Sequence, residues 1–291
     1  MKVLFLFLFC SAVWFSGCTD DSIASGTAGS LVWSLSNDGT LTISGNGAMP
    51  DYIDYNPGIG KSPGVYTYIA PWPSTITAVV INKGVTSIGG GAFLECSELT
   101  SVIIPNTVTS IGESAFRRCS SLTSVTIPNS VSSIGANAFL HCSGLTSVTI
   151  PNSVTTIEYR AFESCSKLTS VTIPNSVTSI EGLAFMYCIG LTSITIPNSV
   201  ASLGGNAFGG CSELTSATIG NSVTFIEVLA FRQCEKLTEI INHQEIPQEI
   251  DSSVFVFVDK TECVLYVPAG SVEAYRTTDE WKKFENIKAI K

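Results

Sequence analysis

Charge is scarce in this chain: Asp, Glu, Lys and Arg together make up 13% of its 291 residues, about half the usual share. The balance is a net −9, so the chain lacks the basic stripe that sequence-independent nucleic-acid binding requires. Histidine is limited to His141 and His243. Aspartate stands at Asp20, Asp21, Asp38, Asp51, Asp54, Asp251, Asp259 and Asp279, and nowhere from 76 to 241. A Ser-His-Asp arrangement would therefore have to bring His141 to an aspartate near one end of the chain. Neither a Gly-rich phosphate loop with its Lys nor a His-Glu-x-x-His helix occurs. Glu113, Glu158, Glu163, Glu181 and Glu227 are scattered singly, whereas glycoside hydrolysis needs two carboxylates side by side. No catalytic residue, cofactor or metal is expected. Also missing is an apolar run of roughly 20 residues, the length of a bilayer-spanning helix.

What the chain does have is a beat of 23 residues. Cys96, Cys119, Cys142, Cys165, Cys188, Cys211 and Cys234 each follow by three a phenylalanine: Phe93, Phe116, Phe139, Phe162, Phe185, Phe208 and Phe231. A strict period of this length marks a solenoid, whose coils must stack because one coil alone cannot bury its faces. In the coil that starts at Leu122, Val125 and Ile127 alternate with β-branched neighbours and predict a short strand. Pro128-Asn129 turns the chain, since Pro presets φ and Asn tolerates the next turn position. Val131 and Ile134 are expected to point back inward, with Ala138, Phe139 and Cys142 filling the return side. Successive strands are then expected to pair in parallel register. Equivalent cysteines on stacked coils point in parallel, whereas a disulfide needs Cβ atoms converging to about 3.8 Å. The seven are therefore read as buried thiols acting as small hydrophobes. A metal ladder would need Cys or His pairs at short spacing, and none is present.

Ahead of the repeats, Lys2 and the apolar run over 3–15 read as an export signal covering residues 1–17. Phe15-Ser16-Gly17-Cys18 resembles a bacterial lipobox, with Cys18 as the lipidated residue and Phe where Leu is usual. An ordinary secretory signal with Cys18 incidental is the other reading. Residues 18–26 are then a tether, 27–75 an N-terminal cap, 76–241 the repeats and 242–291 a C-terminal cap. In the first cap, residues 31–35 and 41–43 flank Asn37-Asp38-Gly39, a hairpin signal, and 49–73 reads as a long ordered loop. In the second, 264–268 reads as a last strand. Ser271 is expected to cap a short helix, and Trp281 and Phe284 to cover the final coil.

The phased pattern L-T-S-V-T-I-P-N-S-V-T-S-I-x-x-x-A-F-x-x-C-S, with seven copies of A-F-x-x-C between about 76 and 241, resembles the BspA-like leucine-rich repeats. Such repeats occur on surface proteins of Bacteroides-like bacteria and some mucosal parasites. The resemblance implies a leucine-rich repeat solenoid of 23-residue coils stacked into a parallel β-sheet, between a β-rich N-terminal cap and a mixed C-terminal one. It implies no ligand, although some members bind host extracellular proteins, because function resides in surface sites rather than in a fold. Thr19-Asp20-Asp21 is similar to the acidic tag that sends lipoproteins to the cell surface in such bacteria. Pro-Asn straight after the strand departs from the general leucine-rich pattern, so the asparagine ladder of ordinary repeats is not assumed.

Outward strand positions barely vary: Ser124 and Thr126, Ser147 and Thr149, Ser170 and Thr172, Ser193 and Thr195. This hydroxyl face either binds or merely solubilises. Coil-to-coil differences gather around Ala-Phe, where Arg117, Arg118, His141, Tyr159, Arg160, Glu163, Met186 and Tyr187 are predicted to form a ridge. Arg and Tyr commonly anchor interfaces, and neutral drift at exposed positions would produce the same variability. Tyr66 and Trp72, in the aromatic entry segment, are candidate glycan contacts or simply loop packing. The reading is an exported protein, lipid-anchored at the outer membrane on the cell surface. It is expected to be a monomer that meets the membrane through its lipid anchor only and presents the ridge to a host extracellular protein, cell or glycan. The alternatives are a glycan-binding accessory of a nutrient-uptake system, using Tyr66 and Trp72, and an envelope scaffold without an external ligand.

Overall fold

The computed structural model describes residues 22–55, 66–68 and 70–291; Cys18 and the expected signal lie outside them. Each coil has three sides. The first is the predicted parallel ladder, running from Ala78–Ile81 and Ser101–Ile103 through Ser147–Thr149 and Ser193–Ile196 to Glu239–Asn242, Val264–Val267 and Asn286–Ala289. Its register is strict, with Ser147 opposite Ser170, Val148 opposite Val171 and Thr149 opposite Thr172. Like residues therefore stand over like, and the β-branched row lines the core. The second side, after the Pro-Asn turn, is another parallel ladder, in which Ser110–Ile111 lies between Val85–Ile88 and Ser133–Ile134. Val131 and Ile134 are buried as expected, but their side pairs as strand too. Two-residue strands carry too little alternation to be read from sequence.

The third side carries the Ala-Phe-x-x-Cys segment and is built from consecutive turns. Ala115 N–H donates to Gly112, Arg117 to Ser114 and Cys119 to Phe116 within one coil. The alternate amides of Ser114, Phe116 and Arg118 donate to the carbonyls of Ala136, Ala138 and Leu140 on the following coil, at 2.9, 2.8 and 2.8 Å. To serve both sets, the residue before Ala and the residue before Cys become left-handed. Their φ values are 56° and 65° at Ser114 and Arg118, 58° and 61° at Asn137 and His141, and 56° and 59° at Arg160 and Ser164. A side chain there costs roughly 1–2 kcal/mol, which Gly91 and Gly210 avoid in the same positions. Ser164→Gly is thus expected to raise stability by about 0.5–1 kcal/mol, after allowing for glycine's larger unfolded entropy. The check is an upward shift of the urea midpoint at constant slope.

The core is organised around one aromatic column. Trp72, Phe93, Phe116, Phe139, Phe162, Phe185, Phe208, Phe231 and Phe255 stack face to face with centroids 5.1 to 5.8 Å apart. Beside it runs the cysteine column, in which Cys119 Sγ donates to Phe93 O at 3.1 Å, Cys142 to Phe116 at 3.0 Å, and so on to Cys234 and Phe208 at 3.3 Å. All eight described cysteines, Cys263 among them, are buried and none is bridged by a disulfide. The thiols pack as small hydrophobes, as expected, and those from Cys119 to Cys234 also bond the coil before them.

Both caps extend the stack. β1 (Ser22–Ala28), β2 (Leu31–Ser36) and β3 (Thr40–Gly45) form an antiparallel meander, and β3 joins Ala78–Ile81 in parallel. The β2–β3 hairpin matches the Asn37-Asp38-Gly39 signal. β1 differs from expectation, since residues 22–26, expected as tether, are its first residues; Gly26 lies against the Trp33 ring there, and a Cβ at 26 would sit 2.9 Å from Trp33 Nε1. The expected entry loop holds a short antiparallel pair, Ile53–Tyr55 with Tyr66–Tyr68. At the other end α1 (Val272–Thr277) forms where a helix was expected, but Ser271 does not cap it. Its hydroxyl donates instead to Glu245 O at 2.6 Å, tying the helix to the last coil. Trp281 and Phe284 are buried against Phe255, closing the column as predicted. Among the described residues no helix is long and apolar enough to cross a membrane.

Candidate binding ridge

The left-handed residues before each cysteine sit at an outer corner of the return side. They form one file of Glu95, Arg118, His141, Ser164, Tyr187, Gly210 and Gln233, which left-handed Phe257, before Val258, continues. Arg118, His141, Tyr159 and Tyr187 are exposed, while Arg117, Arg160, Glu163 and Met186 are half-buried beside them. Of the eight residues expected to form a ridge, Arg118, His141 and Tyr187 stand in this file, and four of the eight are partly tucked into the wall. Arg118 Nη1 reaches Glu95 Oε1 on the preceding coil at 2.6 Å. Both groups are exposed, so this pair contributes about 0–1 kcal/mol. Arg160 Nε lies 3.1 Å from Glu163 Oε2, close but not aligned as a hydrogen bond, and its guanidinium stands 5.0 Å from the Tyr159 ring centre. The Tyr187 ring lies on Gly210 of the next coil, where an added Cβ would come within 2.4 Å of ring carbon Cδ1. Glycine at 210 thus serves both the left-handed backbone and the placement of Tyr187. Between Glu95, Arg118 and His141 opens a shallow depression of about 570 Å³, floored by Ser97, Ser120 and Ser143.

Burial, and then the positive charges of Arg118, Arg117 and Arg160, hold the His141 pKa below its usual value. Glu163 is raised above its ordinary value because its burial outweighs the pull of Arg160 and Arg117. At neutral pH the imidazole is uncharged and the file presents arginine, neutral histidine and tyrosine. A histidine depressed in the fold binds its proton more readily in the unfolded chain, so its contribution favours the fold above pH 6.5 and is lost as pH falls below it. An NMR titration is expected to place the His141 midpoint below 6.5, the ordinary value. His141→Gln should remove that part of the acid destabilisation.

The other candidate residues fare differently. Trp72 is 2% exposed, stacks on Phe93 at 5.8 Å and donates its indole N–H to Ala92 O at 2.9 Å. It is the first ring of the core column and not a glycan contact. It stands 21 residues before Phe93 rather than 23, which is why the beat did not reveal it. Tyr66 lies in the strand Tyr66–Tyr68. On the strand side, the Thr123 file already donates within the array, with Thr146 Oγ1 to Thr123 O and Thr169 Oγ1 to Thr146 O at 3.2 Å each. Ser124, Thr126 and their equivalents Ser147, Thr149, Ser170, Thr172, Ser193 and Thr195 remain exposed. Among the described residues no group of three or more His, Cys, Asp or Glu is placed to hold a metal ion.

A family model described as the BspA type leucine rich repeat region matches residues 72–190 and 178–266, in six copies. A leucine-rich repeat protein of Treponema pallidum is 27% identical, over 65% of this chain and 90% of that one, with a TM-score of 0.46. One from Bacteroides ovatus is 20% identical, over 95% and 100%, with a TM-score of 0.48. A leucine-rich cell surface protein of Faecalibacterium prausnitzii is 23% identical, over 94% and 96%, with a TM-score of 0.42. None of the curated proteins matches.

Proposed function

The chain belongs to the BspA-type leucine-rich repeat family, and from that premise we propose that it is a surface recognition protein, held at the outer membrane by lipid on Cys18. In this reading the solenoid is a rigid, catalytically silent support that presents the Arg118–His141–Tyr187 file to a host extracellular protein, cell or glycan. The observation that carries it is the contrast between sides. The core columns and the strand face repeat nearly unchanged, whereas the outer corner differs in every coil and gathers arginine and tyrosine. Arginine and tyrosine contribute most per residue at interfaces, and a rigid wall loses little freedom when it binds.

The test is binding of the purified protein to a panel of matrix proteins and glycans, beside an Arg117→Ala/Arg118→Ala/Tyr187→Ala variant. Binding to a matrix protein that the variant loses by roughly tenfold or more, about 1.4 kcal/mol, supports recognition through the ridge. Glycan binding indifferent to the variant favours the nutrient-uptake alternative. Silence across the panel favours an envelope scaffold. The position of Cys18 is tested separately, since Cys18→Ser should release a lipid-anchored protein from the membrane fraction.

A further inference from the structure

The seventh coil breaks the surface rule that the earlier coils obey. On the second ladder, Ser110, Ser133, Thr156, Ser179 and Ser202 occupy equivalent outward positions, and the next residue in register is Phe225. Three positions on, where Gly182 and Gly205 stand in the two preceding coils, is Val228. Ile246 rises beside them from the outgoing segment. Phe225, Val228 and Ile246 are 54%, 50% and 78% exposed. They line two adjoining depressions of about 540 and 310 Å³ that share Phe225 and Glu249. The floor is fixed: buried Gln248 donates to Val223 O at 2.8 Å and accepts from Asn242 Nδ2 at 3.0 Å. Glu227, Glu249 and Asp251 are the charged residues of the lining, which includes no Lys or Arg.

We propose that this groove at the C-terminal end of the array docks a cationic, apolar segment of another protein, one in which aliphatic or aromatic anchors are flanked by Lys or Arg. The apolar part follows from large side chains left in water at positions that otherwise hold hydroxyls or glycine, a pattern that marks interaction sites on soluble surfaces. The sign of the partner follows from the lining, because three carboxylates with no counter-charge complement a basic chain. They also disfavour the other occupants. A second copy in a symmetric contact would set the same carboxylates against each other, and an anionic lipid surface would be repelled. Little of the groove needs to reorganise on binding, since its floor is already bonded.

The test uses fluorescence anisotropy with three labelled peptides: lysines alternating with leucine around a central phenylalanine, the same with glutamate for lysine, and the same with serine for leucine and phenylalanine. The lysine–apolar peptide is expected to bind roughly tenfold or more tighter than either control. Phe225→Ser and Val228→Gly should each weaken it about fivefold or more, and added salt should weaken it further. Both variants restore residues that neighbouring coils carry, so their thermal transitions should match the parent. The arginine–tyrosine triple variant of the ridge should leave this binding unchanged. Equal binding of the glutamate peptide, or indifference to Phe225→Ser, overturns the proposal. So does a concentration-dependent dimer, or attachment to anionic vesicles, that Phe225→Ser abolishes.

Discussion

Phe162→Ala is expected to lower the unfolding free energy by about 3–5 kcal/mol, the usual cost of emptying a buried phenylalanine site. The Phe162 ring is fully buried and lies between Phe139 and Phe185, at 5.3 and 5.4 Å and within 2° and 5° of parallel. Removing it leaves a void that two other rings border, and neither can close it without leaving its own stack. In a solenoid each coil contacts only its neighbours, so stability is a sum of local and interfacial terms. A hole at the centre therefore weakens two interfaces together. Urea unfolding followed by circular dichroism should show a lower midpoint and a broader transition than the parent. Phe162→Leu, which keeps most of the volume, should cost much less. A loss below about 1 kcal/mol for the alanine variant would mean that the column fills space without holding the coils together.

The thiols supply the second large effect. The eight cysteines of the described fold are expected to react with an aromatic disulfide reagent roughly 10³-fold or more slowly than an exposed thiol, and to appear together on denaturation. Two barriers act in series. The side chains are buried, so the reagent must await an opening that costs a large share of the global free energy. Burial first, and the field of the neighbouring cysteine second, also push Cys119, Cys142, Cys165, Cys188 and Cys211 well above the ordinary thiol range. Since the thiolate is the nucleophile, an opening too small to let water in would not suffice. Cys234 and Cys263 are pushed only to about 12 and lie toward the C-terminal end, where fraying begins, so mass spectrometry should find them labelled first. Several thiols labelled at once in the native protein would contradict the buried column.

The elements that could be read from sequence were those repeated often enough to expose a period. Seven phased cysteines and phenylalanines disclosed the solenoid, the inward rows and the buried thiols. The parallel register followed, because coils of equal length must place like residues over like. Features that do not alter composition stayed hidden. Left-handed φ at Arg118, His141 and Tyr187 leaves no mark in residues that are neither glycine nor asparagine. The second ladder was too short to show alternation. Trp72 stays open in the sequence between glycan contact and loop packing because its spacing falls off the beat, and Ser271 does not cap its helix because its hydroxyl bonds Glu245 O instead. The ridge was legible as variability, whereas its half-buried members and the seat of Tyr187 on Gly210 depend on stacking geometry. The apolar groove went unread because Phe225 and Ile246 meet only across coils.

The forward-pointing amides of the return side have one more effect, on the electrostatics of the whole rod. In the coils that begin at Gly91, Ser114, Asn137, Arg160, Leu183 and Asn206, three N–H groups point toward the next coil, and the carbonyl preceding each accepts from the coil behind. Strand peptides alternate in direction and cancel, but these line up head to tail, as peptides do in a helix. Three such columns run side by side along one wall, giving the rod a permanent dipole with its positive pole at the C-terminal cap. That pole is where Leu229 N–H turns to Ser253 Oγ instead of a backbone carbonyl and where aspartate, absent from every repeat, returns at Asp251 and Asp259.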